Sequence, residues 1–141
     1  MNNELSLKSY VVFMKAAKSV QERSKRDIES HGINPTEFMV LEVLYHKGKQ
    51  TIQQIGQKIL MTSGSMTYVI DKLENKGLIK RESCPNDRRA THVVITDKGI
   101  SFMDEIFPKH ENMIEQIFGV LSEEEKKVMI ALNKKIGCST D

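Results

Sequence analysis

The sequence predicts a mainly helical fold with one small β-hairpin. Apolar residues recur at three- and four-residue steps through most of the chain, in segments punctuated by capping residues and glycines. Only between Leu78 and Thr96 does the period change to two. The first and last helical segments are long and apolar along one face, with too few neighbours of their own to cover it.

The first segment runs from about Leu5 to His31, with Leu7, Tyr10, Val11, Met14 and Ala17 as its stripe and Gly32 as its stop. In the second, Asn34 caps, Pro35 takes the first helical position and Glu37 closes a capping box. Phe38, Leu41, Val43, Leu44 and Tyr45 make it apolar, and Gly48 ends it. A short third helix starts at Thr51, with Gln54 three residues on and Ile52, Ile55 and Ile59 along one face.

The fourth helix is capped by Thr62 or Ser63, buries Met66, Val69, Ile70 and Leu73, and stops at Gly77. Its outward side carries Ser63, Ser65, Thr67, Tyr68 and Lys72, where Lys and Glu usually dominate a solvated face. "LIKRESC" and "ATHVVIT" read as paired strands joined by "PNDRR". Thr96 caps a long helix whose stripe includes Met103, Ile106, Ile114 and Ile117, with Pro108 inside it. Ser122 and Glu125 form a capping box for a last helix bearing Val128, Met129, Leu132 and Ile136. The expected division is a lobe over residues 34–96 flanked by dimerisation helices over 5–31 and 97–137. The uncovered faces are most simply buried against a second copy, giving a twofold dimer.

The chain has 141 residues, a net charge of +2 and no Trp, so it suits one compact subunit. So small a net charge says nothing about a nucleic-acid partner, and its distribution must decide. No apolar run approaches the roughly 20 residues of a membrane helix. The opening "MNNELSLKSY" lacks a signal-peptide layout, so no membrane association and a cytoplasmic location are expected. Cys84 and Cys138 are expected to be reduced thiols, with Cys84, just before the hairpin tip, the candidate redox residue. His31, His46, His92 and His110 are scattered without paired ligand spacing, so no metal or cofactor is expected. A Gly-rich phosphate loop, a nucleophile elbow and a zinc-protease motif are all missing, which argues against an enzyme.

Short helices followed by a hairpin describe a winged helix-turn-helix, in which the later helix enters the DNA major groove. Thr62, Ser63, Ser65 and Thr67 offer hydroxyls at its N-terminal end, and Gly64 lets a duplex approach closely. Tyr68 and Lys72 lie further along the same side. Arg88 and Arg89 at the hairpin tip repel each other, and phosphates flanking a minor groove would relieve this. Asp87 is expected to pair locally and shape the tip. Between Lys72 and Arg89 six Lys or Arg face three Asp or Glu.

"TSGSMTYVIDKLENKGLIKRESCPNDRRATHVVITDKG", residues 62–99, resembles the DNA-binding core of the MarR family of bacterial transcriptional regulators, and the flanking helices agree with that family's layout. The resemblance implies an intertwined helical homodimer that binds palindromic operators, usually as a repressor. It puts Ser63, Ser65, Thr67 and Tyr68 on the recognition helix, and Arg88 and Arg89 on the wing with Arg89 in the minor groove. Tyr68 stands where many members carry Arg. The resemblance also implies a small aromatic or phenolic effector between the lobes, for which Tyr10, Met14, Phe38 and Met39 are the candidate cleft residues. Peroxide-sensing members carry a cysteine near the start of the first helix, and this chain has none there. The alternative reading is a winged-helix module that binds protein and no operator.

Overall fold

The computed structural model describes residues 3–59, 61, 63–84 and 86–137. In chain order the elements are α1 (Asn3–Glu29), α2 (Pro35–Lys47), β1 (Gln50–Thr51), α3 (Ile52–Ile59), α4 (Ser63–Asn75), β2 (Ile79–Cys84), β3 (Asp87–Ile95), α5 (Asp97–Phe118) and α6 (Glu123–Ile136).

The helix boundaries follow local chemistry. The Asn34 side chain accepts from Glu37 N–H at 2.8 Å, and the Glu37 carboxylate accepts from Asn34 N–H at 3.0 Å. Thr51 and Gln54 exchange the same pair of bonds at the start of α3, as do Ser122 and Glu125 at the start of α6. These bonds hold the Glu125 carboxyl below its ordinary pKa. Gly32, Gly48 and Gly77 all sit at positive φ where α1, α2 and α4 end, a conformation that costs other residues sterically.

The sheet has three antiparallel strands in the order β1-β3-β2. The two-residue β1 was not expected; it exists because Gln50 and Thr51 pair with Val93 and His92. The hairpin also differs from the predicted one. Strand β3 begins at Asp87, so Arg88 and Arg89 belong to the strand and not to the turn. Ser83 pairs with Thr91 and the next residue, Cys84, pairs with Asp87, so residues 88–90 form a bulge beside the tip.

One core joins α2, α3, α4 and the sheet to parts of α1 and α5. Leu41, Leu44, Ile55, Met66, Ile70 and Leu73 are fully enclosed in it. So is Met103 of α5, while Ile106 of α5 and Ile28 at the end of α1 are nearly so. The first part of the α5 stripe therefore belongs to the subunit's own core. Ile114 and Ile117, further along, are half-buried. The N-terminal half of α1 leaves Leu5, Leu7, Tyr10 and Val12 exposed, and α6 is exposed along most of its length.

Candidate nucleic-acid interface

Helix α4 buries Met66, Val69, Ile70 and Leu73 and turns Gly64, Ser65, Thr67, Tyr68 and Lys72 to solvent. A Cβ added at Gly64 would meet nothing within 4 Å, so the glycine is not required by packing. Tyr68 is 64% exposed, and the Lys72 ammonium lies 5.3 Å from its ring centroid. Ser63 opens the helix. Thr62 lies outside the described residues. On the hairpin, Cys84 ends β2 and Asp87, Arg88 and Arg89 open β3. The fold thus brings the hydroxyl-rich helix and the hairpin together through contacts between α4 and β2.

Arg81 makes that junction. Its backbone N–H donates to Glu74 Oε2 at 3.0 Å, Nη1 donates to Glu74 Oε1 at 2.6 Å, and Nη2 donates to Asp71 Oδ1 at 2.5 Å. Burial pulls the guanidinium's pKa down, but the bonds and charges of the two carboxylates raise it overall, so Arg81 stays charged. Sequence reasoning missed this cluster. Its signal was period two: Arg81 shares a strand face with Ile79, which is buried.

Two further ion pairs brace the lobe. Lys49 lies 3.1 Å from Glu82 on β2, and with Lys80 behind it holds that carboxyl below its ordinary pKa. Lys76 at the end of α4 donates to Glu37 at 2.9 Å. Glu37 is 2% exposed, and its carboxylate serves both this pair and the α2 capping box. Paired in this way, its burial is tolerable.

The candidate effector residues differ in exposure. Phe38 is a core residue, 3% exposed, with its ring 4.6 Å from that of His110. The α2 stripe turns it inward, to the core that the apolar pattern of α2 also allowed. Tyr10 and Met14 stand exposed on α1. Met39 borders an open hollow of about 240 Å³ with Val43, His46, Lys58 and Ile59. Cys138 lies outside the described residues.

A second unforeseen cluster joins α1 to α5. Asp27 Oδ2 is 3.9 Å from His31 Nε2 and 3.6 Å from His110 Nδ1. All three atoms are buried without a hydrogen-bond partner. No group of three or more His, Cys, Asp or Glu among the described residues is arranged to hold a metal ion. No described helix is long and apolar enough to cross a membrane.

A three-stranded sheet, a short helix pair and an exposed hydroxyl-rich second helix define the winged helix-turn-helix class of DNA-binding proteins. The sequence profile of the MarR family matches residues 33–91. Over 134 residues the chain is 50% identical to the HTH-type transcriptional regulator MhqR of Bacillus subtilis (strain 168), covering 95% of this chain and 92% of that relative. It is 32% identical to the transcriptional repressor MprA of Escherichia coli (strain K12), covering 85% of this chain and 69% of that one. Among solved structures, Sco3205, a MarR family transcriptional regulator from Streptomyces coelicolor in complex with DNA, superposes with a TM-score of 0.88 over 97% of this chain and 91% of that one, at 20% identity. The chain belongs to the MarR family: it is a DNA-binding transcriptional regulator and not an enzyme.

Proposed function

We propose that this regulator is an effector-responsive repressor that binds a palindromic operator as a homodimer. The observation that carries the reading is the exposed N-terminal face of α4, with Gly64, Ser65, Thr67 and Tyr68 outward, braced against a hairpin that opens β3 with two arginines. Short hydroxyl side chains let the helix sink into a major groove and reach base edges. In this reading Thr62, Ser63 and Lys72 contact the duplex beside them, Arg89 enters the minor groove with Arg88 on the adjoining phosphates, and Asp87 shapes the tip.

The uncovered apolar side chains of α1 and α6 support the dimer. Leu7 and Tyr10 are each 64% exposed, and Leu132 is 53% exposed. Apolar surface left on both α1 and α6 is best buried against a second copy. Tyr10 and Met14 would then meet Met39 across that interface, where an aromatic effector would act on lobe spacing. Repression is supported by the relative MprA, which is a transcriptional repressor.

The test is a gel shift with the protein's own upstream region at two salt concentrations. Operator binding predicts affinity that falls steeply with salt, because each phosphate contact releases counterions. A protein-binding module would retard no promoter fragment even at low salt.

A further inference from the structure

We infer that Arg81 is a positioning residue for DNA recognition, a clamp that sets the angle between the hairpin and the recognition helix by holding Asp71 and Glu74 of α4 at once. The inference rests on the operator-binding reading above and adds to it a residue that touches no DNA itself.

An isolated surface ion pair contributes little, because solvent screens it and two long side chains must be ordered. This one differs in three respects. The Arg81 side chain is only 28% exposed. Its planar fork spans two carboxylates one helical turn apart, at 2.5 and 2.6 Å. Glu74 also accepts the backbone N–H of Arg81, so one carboxylate grips the residue at both ends. Attachment through backbone and side chain together removes both sliding and rotation of β2 against α4. A lysine keeps the charge but has no planar fork with which to hold two carboxylates.

The location gives the clamp its consequence. Asp71 lies four residues after Thr67 and three after Tyr68, so it borders the exposed side of α4 on the helix surface. Glu74 follows one turn later, on the flank facing β2. The strand that carries Arg81 leads within three residues to Cys84, where the hairpin turns back toward Arg88 and Arg89. A change of angle at the clamp is therefore magnified at the tip. Two DNA-contacting elements that no longer share a fixed spacing can still find phosphates, but cannot read one operator register. Loss of the clamp should lower discrimination between sequences and leave phosphate binding in place.

The experiment uses the full chain and two duplexes: the tightest one selected from a random pool by wild-type protein, and a scrambled duplex of the same composition. Arg81→Lys and the double variant Asp71→Asn/Glu74→Gln are compared with wild type, with melting curves as a control for folding. The expected result is a fall of about tenfold in the ratio of selected to scrambled affinity, the size of a coupling between contacting groups. For Arg81→Lys the salt slope on scrambled DNA should stay unchanged. Should Arg81→Lys fail to fold, the double variant supplies the same readout. A ratio equal to that of wild type in the folded variant overturns the clamp. Equal losses on both duplexes also overturn it, because they mark a direct phosphate contact or a general structural role. If wild type selects no sequence from the pool, the operator-binding reading fails first and the clamp falls with it.

Discussion

At the scale of single residues, polar groups act through fixed partners, and one of them, Tyr45, can be tested by titration and substitution. The Tyr45 hydroxyl donates to Asp104, tying α2 to α5, and its pKa is raised above the ordinary phenol value. That bond is the main cause, followed by burial and by the charges of Asp104 and Glu111. A raised pKa means the folded state favours the neutral phenol. The bond's contribution is thus whole below the ordinary phenol range and is lost as pH rises through the folded pKa. The stability difference between wild type and Tyr45→Phe should be greatest near neutral pH and shrink in alkali. Denaturant midpoints at several pH values would reveal this, and a difference that stays flat rejects the coupling. On the DNA side, Arg89→Ala should weaken operator binding by about 1–3 kcal/mol if the side chain fills a groove, the usual size of a good groove contact. Wild-type affinity in a gel shift would remove Arg89 from the interface.

At the scale of elements, the decisive contact is the close approach of α5 to the start of β2. A Cβ built on Gly99 would lie 2.1 Å from Leu78 O and 2.6 Å from Ile95 Cγ1. Leu78 O also accepts from Thr96 N–H, and the Thr96 hydroxyl donates to Gly77 O, so the backbone has little room to yield. Gly99→Ala should cost about 1–3 kcal/mol, as overpacking does elsewhere. Urea denaturation checks this, and an unshifted midpoint would mean that the helix start relaxes freely. Helix boundaries were legible in the sequence because a capping box is a bond between residues three apart. Asn34 with Glu37, Thr51 with Gln54 and Ser122 with Glu125 all form as their spacing predicts. The buried stripe of α4 was legible because its period is that of the helix. Strand β1 was not, since two residues carry no period and only the partner β3 makes them a strand. The early start of β3 was also missed, because a bulge is defined by pairing across the hairpin and not by composition.

At the scale of the whole molecule, the apolar faces of the chain divide into two sets. One set closes the subunit core and extends to Met103 and Ile106 of α5. The other lies on α1 and α6 and stays uncovered. Leu7→Lys and Leu132→Lys alter only the second set, since both side chains are more than half exposed in the subunit. Each should shift the protein toward monomers without unfolding the winged lobe, because a charge entering an apolar seam is costly. Sedimentation velocity would show this, and an intact dimer in both variants would place the seam elsewhere. Ile114 and Ile117 are poorer probes, because they are already half-buried within the subunit.

The sequence by itself determined the order of the helices, their caps, the hairpin, the polar outer face of α4 and the resemblance to a family of regulators. All of these are encoded by residues within a few positions of one another or by a repeated period. Only the tertiary structure decided that Phe38 is core, that the first part of α5 closes the subunit core while its later stripe is half-buried, and that Arg81 joins two carboxylates of α4. The same holds for the meeting of Asp27, His31 and His110. Each of these depends on which surfaces of distant segments pack together, and a periodic stripe shows that a face is apolar without showing what covers it.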